Sequence, residues 1–198
     1  MNKRDASSAI TGVILAGGRS TRMGQDKALL KLPGGHTLLE QARRTLQAVG
    51  VGELLVSVRP GQAYGLPGTR EITDATADCG PLGGLSACLA TAQADLILVL
   101  AVDLPAMTPE FLRALLASST AACGAVPWHD RYFEPLAAVY PRLAAPSAHV
   151  ALAAGKLSLQ PWLCALAADG LIRPFQVEPS DSGNFINWNT PADRSQSP

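Results

Sequence analysis

Residues 96–102 are seven consecutive apolar side chains, Leu-Ile-Leu-Val-Leu-Ala-Val, and they end on a carboxylate, Asp103. The run shows no polar–apolar alternation, so it fits a strand covered by side chains on both faces. It is far shorter than the ~20 residues that cross a bilayer. A strand covered on both faces needs helices above and below its sheet. The rest of the chain alternates strand-like runs with helical periodicities. That is the pattern of a three-layer α/β fold with a mostly parallel central sheet.

The alternation is readable residue by residue. Ile10–Leu15 and Glu53–Val58 read as strands, with a short third one at 71–73. Thr37 opens a helix whose apolar positions include Leu38, Leu39, Ala42, Leu46 and Val49, and Gly50 and Gly52 stop it. Residues 82–94 place Leu85, Cys88, Leu89 and Ala92 at helical spacing. Thr108-Pro109-Glu110 supplies a capping hydroxyl, a proline and a first-turn acid for a helix running through Leu116. Strands are expected at 122–127, 133–140 and 172–177, and helices at 141–154 and 158–168. The whole chain reads as one domain, with 1–9 and 194–198 as flexible tails.

Composition removes several classes of function. Sixteen Lys+Arg balance sixteen Asp+Glu, so the basic excess of a general nucleic-acid binder is missing. Aromatics make up 5% of the chain, too few for a base-stacking platform. The 16% charged and 47% hydrophobic fractions argue against disorder. Cys79, Cys88, Cys123 and Cys164 have no CxxC spacing, and the N-terminus has no signal-peptide pattern. A reduced cytoplasmic protein without a membrane anchor is expected.

Chemistry concentrates behind the first strand. Gly17 and Gly18 allow a sharp turn and close backbone approach to a ligand, and Arg19, Arg22 and Lys27 add three cations within nine residues. The composition suits a triphosphate cradle, with an ordinary glycine-rich connection as the other reading. Neither GxxxxGK[ST] nor GxGxxG is present. Asp103 falls at the carboxyl end of a central strand, where ligands of open α/β sheets bind and where a carboxylate suits Mg²⁺. A turn aspartate before Pro105 is the plainer alternative. Asp74 is followed by Gly80-Pro-Leu-Gly-Gly84, which brings backbone close to a base or simply turns. Asn187 and Asn189 share one side of an extended segment that also holds a helix start, Thr190-Pro191.

These motifs together resemble the molybdenum cofactor guanylyltransferases. Leu15-Ala-Gly-Gly-Arg-Ser-Thr-Arg-Met-Gly-Gln-Asp-Lys27 is similar throughout to that family's signature, close to LAGGxSxRMGxDK. Asp74, Gly80-Pro-Leu-Gly-Gly84, Asp103-Leu-Pro105 and Phe185-Ile-Asn-Trp-Asn-Thr-Pro191 follow in family order, so the likeness spans about residues 10–193. The resemblance implies a Rossmann-like nucleotidyltransferase fold. It implies transfer of GMP from GTP to molybdopterin with release of pyrophosphate and Mg²⁺ as cofactor. Leu15, Ala16, Gly17 and Gly18 would meet the nucleotide through backbone, Lys27 and Arg22 its phosphates, and Asp103 both Mg²⁺ and nucleotide. Asp74, Gly80, Pro81 and Leu82 would lie at the nucleoside, as would Ser57, which stands where the family places an asparagine. Asn187 and Asn189 would face the pterin phosphate.

The resemblance further implies molybdenum-insertion proteins and molybdoenzyme chaperones as partners, and a monomer with no nucleic-acid partner is expected. Two other readings stand beside it. One is the cytidylyltransferase branch, which uses CTP and usually carries Leu-Ala-Ala-Gly where this chain has Leu15-Ala16-Gly17-Gly18. The other is a non-catalytic molybdopterin carrier.

Overall fold

A computed structural model describes residues 10–16, 26–73 and 79–188. The run read as a doubly covered strand is β4 (Leu96–Ala101), fully buried from Ile97 onward. It pairs in parallel with β1 (Ile10–Leu15), which pairs in parallel with β2 (Glu53–Val58), and that strand with β3 (Arg70–Thr73). The third strand therefore starts one residue before the expected 71. This half of the sheet is the parallel one. All four strands point their carboxyl ends the same way.

The other half mixes directions. β5 (Gly124–His129) runs parallel to β4 but two positions away, and β7 (Ala137–Pro141) fills the gap antiparallel to both. β8 (Ile172–Gln176) closes that side in parallel with β5. The run 133–140, expected as a single strand, is two. Glu134-Pro135 interrupts it, leaving β6 (Tyr132–Phe133) in a hairpin with β5 and releasing β7 to cross the gap. Asp130 and Arg131 make that hairpin turn at φ 47° and 72°.

Among the described residues five helices cover the sheet. α1 (Leu38–Val49) begins at a capping box, with Thr37 Oγ1 accepting from the Glu40 amide at 3.1 Å and the Glu40 carboxylate accepting from the Thr37 amide. That engagement holds the Glu40 carboxyl below its ordinary range. α1 and α3 (Pro109–Ala117) pack on one face with Ile14, Val56, Leu98 and Leu100. α2 (Gly80–Thr91), α4 (Ala145–Ala153) and α5 (Leu159–Ala168) pack on the other with Val13, Leu55, Ile97 and Val99. Alternate residues of each central strand thus feed separate cores, as period-2 geometry requires.

α2 starts at Gly80 and ends three residues before the expected 94. The helix expected from 141 opens as a 3-10 turn, Arg142–Ala144, because Pro141 still belongs to β7. Another 3-10 segment, Pro179–Phe185, has no counterpart in the periodicity. Cys79 and Cys88 are buried, Cys123 is half-buried and Cys164 is exposed. Among the described residues no helix is long and apolar enough to cross a membrane.

Candidate active site

Three things converge at the carboxyl ends of β2, β1 and β4. The first is backbone. The Ala16 amide donates to the Ser57 carbonyl at 3.3 Å, and the Val102 amide to the Leu15 carbonyl at 3.3 Å, so the three strand ends are laced together. Ala16 and Asp26 are the described residues on either side of the glycine-rich segment. Gly17, Gly18, Arg19 and Arg22 lie outside the described residues, as do Asp74 and Asn189.

The second is charge. Asp26 caps a 3-10 turn, Lys27–Leu29, by accepting from the Ala28 amide at 3.0 Å. The turn directs Lys27 across the strand ends, where its Nζ stands 3.2 Å from Asp103 Oδ2. The two side chains are 20% and 27% exposed. These residues lie 76 positions apart in the chain and meet here. A half-buried ammonium and carboxylate in contact are stable as a pair, and removing either leaves its partner short of compensation.

The third is the start of α2. Gly80 holds φ 61°, a left-handed value that favours glycine, and Pro81 follows in the first helical turn. Cys79 contributes no side-chain cap, so the first-turn amides are not satisfied from that side chain. Gly84 permits the helix to sit close to the sheet, since a Cβ there would overlap Ser57 Oγ. Ser57 is 4% exposed, with its side chain turned under α2. In the described structure this position sets the distance between helix and sheet.

A strap crosses in front of Asp103. The Trp188 amide donates to the Asp103 carbonyl at 3.0 Å, which seats buried Trp188 and leaves Asn187 exposed at the site's edge. Asn184 anchors the strap. Its Oδ1 accepts from the Thr108 amide at 2.8 Å and from Thr108 Oγ1 at 3.0 Å, while its Nδ2 donates to the Asp181 carbonyl at 2.9 Å. Phe185 packs edge-on to Phe111 at 5.3 Å and stacks on His129 at 6.0 Å. The carboxyl end of β5 therefore reaches the same side as Asp103.

Sequence reasoning missed two groups here. Asn184 carries no motif, because its role depends on Thr108 far away in the chain. The loop between β2 and β3 brings Tyr64 and Gln62 to Asp26. Tyr64 Oη lies 3.0 Å from Asp26 Oδ2, and Gln62 Nε2 donates to the same oxygen. Burial and the Asp26 carboxylate together push the Tyr64 phenol up from its ordinary value, so it remains a proton donor.

Asp103 offers a hard oxygen ligand within reach of solvent. Such a carboxylate fits Mg²⁺, which is held by one or two carboxylates together with substrate oxygens and water. Among the described residues no group of three or more His, Cys, Asp and Glu forms a protein-only metal cage.

The chain is similar to known nucleotidyltransferases. The family model of the MobA-like NTP transferase domain matches residues 12–168. A probable molybdenum cofactor guanylyltransferase of Opitutus terrae is 37% identical over 191 residues, covering 95% of this chain and 94% of the relative. A molybdenum cofactor guanylyltransferase of Xanthomonas euvesicatoria is 39% identical over 184 residues, covering 91% and 90%. Among solved structures, molybdopterin-guanine dinucleotide biosynthesis protein A from Archaeoglobus fulgidus superposes with a TM-score of 0.74 over 94% of this chain and 95% of its own. Its sequence identity is 24%, so that likeness speaks for the fold alone.

Proposed function

This chain belongs to the MobA-like NTP transferase family, and from that membership we propose that it transfers GMP from GTP to the terminal phosphate of molybdopterin. The products are the molybdopterin guanine dinucleotide and pyrophosphate. The observation that carries the reading is the meeting of Lys27 with Asp103, 3.2 Å apart at the carboxyl ends of β1 and β4.

The reaction is a displacement at phosphorus. An oxygen of the acceptor phosphate forms a bond to the α-phosphorus of GTP, and the bond to the bridging oxygen toward the β-phosphorus breaks. The electron pair leaves with pyrophosphate. The nucleophile is already an anion at neutral pH, so no side chain has to take a proton. What the protein supplies is position and compensating charge.

Lys27 exchanges its carboxylate partner for a phosphate oxygen and stabilises the charge that grows on departing pyrophosphate. Arg22 adds a second cation to the triphosphate. Leu15, Ala16, Gly17 and Gly18 present backbone to the phosphates. Asp74, Gly80, Pro81 and Leu82 hold the nucleoside, and Asn187 and Asn189 orient the acceptor phosphate for in-line attack. Asp103 would hold Mg²⁺, which supplies positive charge against the phosphate oxygens when bound.

Thermal unfolding with Mg²⁺ and excess GTP, CTP or ATP tests this reading. A ligand at 100 times its Kd adds about 2.7 kcal/mol to stability. At about 2–4 °C per kcal/mol for a chain of this size, that raises Tm by about 5–11 °C. Stabilisation by GTP alone, abolished in Asp103→Ala, is the expected result. Selective stabilisation by CTP would move the chain to the cytidylyltransferase reaction. Indifference to every nucleotide would favour a molybdopterin carrier.

A further inference from the structure

The loop between β2 and β3 has no place in the reaction so far, yet it reaches both ends of the glycine-rich segment. Tyr64 Oη lies 3.0 Å and 3.3 Å from the two Asp26 carboxylate oxygens and 3.5 Å from the Ala16 carbonyl. Ala16 is the last residue before that segment and Asp26 the first residue after it. One hydroxyl therefore stands between the segment's two ends.

The loop is built to hold this hydroxyl in place. Glu71 Oε1, on β3, accepts from the Tyr64 amide at 2.7 Å and the Gly65 amide at 2.8 Å. Gln62 accepts from the Arg59 amide through Oε1 at 3.2 Å and donates to Asp26 through Nε2. Asp26 in turn uses Oδ1 to cap the turn that aims Lys27, and the Leu30 amide closes that turn onto the Lys27 carbonyl at 3.1 Å. A carboxylate tethered through both oxygens cannot rotate. The backbone that carries Lys27 inherits that fixity.

We infer that Tyr64, assisted by Gln62, is a positioning residue for phosphate binding: through Asp26 it holds the Lys27 ammonium at the carboxyl ends of β1 and β4. The inference rests on the proposed nucleotidyl transfer insofar as that reading makes Lys27 a phosphate ligand. It assigns the β2–β3 loop a role in the reaction although none of its described residues touches Asp103.

The test separates this role from general loosening of the loop and from the choice of nucleotide. Pyrophosphate with Mg²⁺ is the probe, because it carries no base, and its Kd is measured by titration calorimetry. Four chains are compared: the unaltered protein, Tyr64→Phe, Lys27→Ala and the double variant. Loss of a hydrogen bond to a charged group predicts that Tyr64→Phe weakens pyrophosphate binding about 10-fold when Lys27 is present. In the Lys27→Ala background the same change should shift Kd less than about 2-fold, since residues acting through one another are non-additive.

Thr69→Val removes the loop's internal hydrogen bond from Thr69 Oγ1 to the Leu66 carbonyl (2.7 Å) without touching Asp26. It should leave Kd unchanged. Equal losses in both backgrounds, no loss in either, a Thr69→Val loss matching that of Tyr64→Phe, or no pyrophosphate binding by the unaltered chain would each overturn the inference. A preference for another nucleotide in the melting experiment would overturn the guanylyl reading and leave this result standing.

Discussion

Gly84→Ala is a small substitution that the structure makes costly. The new Cβ would overlap Ser57 Oγ and stand 3.3 Å from Ser57 Cβ and 3.8 Å from Leu15 Cδ2. The Leu15 distance is ordinary van der Waals contact, so the buried Ser57 side chain is what must give way. Ser57 is 4% exposed on β2 and Leu15 8% exposed on β1. Overpacking at such a contact costs about 1–3 kcal/mol. Alanine is better than glycine inside a helix by about 1 kcal/mol, which offsets part of it. The direct overlap with Ser57 Oγ puts this site at the upper end of that range, so the net loss expected is about 2 kcal/mol, or about 4–8 °C in Tm.

Ser57→Ala deletes the overlapping oxygen and leaves only the 3.3 Å contact. In that background Gly84→Ala should be neutral or stabilising by up to about 1 kcal/mol, giving a coupling of about 2 kcal/mol. Denaturant unfolding of the four chains measures the cycle. Equal destabilisation in both backgrounds would refute the claim that Ser57 sets the depth of α2. A Gly84→Ala chain as stable as the unaltered one would do the same.

Three other outcomes follow from the same contacts. Lys27→Ala or Asp103→Ala should lower the turnover rate at least ~100-fold, as loss of transition-state charge stabilisation does, and steady-state pyrophosphate release checks it. Asn184→Ala strips the Thr108 amide of its acceptor and should cost about 1–3 kcal/mol in denaturant unfolding, with acceptor KM rising because the strap carrying Asn187 loosens. Tyr140 is wholly buried, donates to the Pro135 carbonyl at 2.8 Å, and has its phenol pushed up by that burial. The folded state thus keeps a proton that an unfolded tyrosine releases near pH 10, so stability is full below that pH and falls as pH rises further. Tyr140→Phe should cost about 1 kcal/mol at pH 7, and the gap to the unaltered chain should narrow above pH 10 in unfolding curves taken across that range.

Local chemistry made much of this fold legible. A run apolar on both faces has few other places to go than β4. Thr108-Pro109 carries its helix start in the side chains themselves, and Thr37 with Glu40 does likewise. The antiparallel insertion of β7 was not legible in this way. It depends on β5 skipping a position beside β4, and no local periodicity records which strand fills a gap. The 3-10 segment Pro179–Phe185 is held by Asn184 on Thr108, a pairing 76 residues long.

The site divides along the same line. Lys27 and Asp103 stood out because a charged side chain beside a strand end has no packing reason to be there. Ser57 was read as a nucleotide contact by its place in the motif, and only the register of β2 under α2 reveals that its side chain faces a glycine. Tyr64 and Gln62 sit in a loop of glycines and prolines, and their partner, Asp26, lies 38 and 36 positions away.

Joint measurement of both products decides whether the chain transfers GMP. The unaltered chain is incubated with Mg²⁺, GTP and molybdopterin, and pyrophosphate and the guanine dinucleotide are quantified together. One pyrophosphate per dinucleotide is expected, with neither formed when molybdopterin or GTP is left out or Asp103 is replaced by alanine. Pyrophosphate released without molybdopterin, or no dinucleotide from a chain that binds GTP, would contradict the transfer.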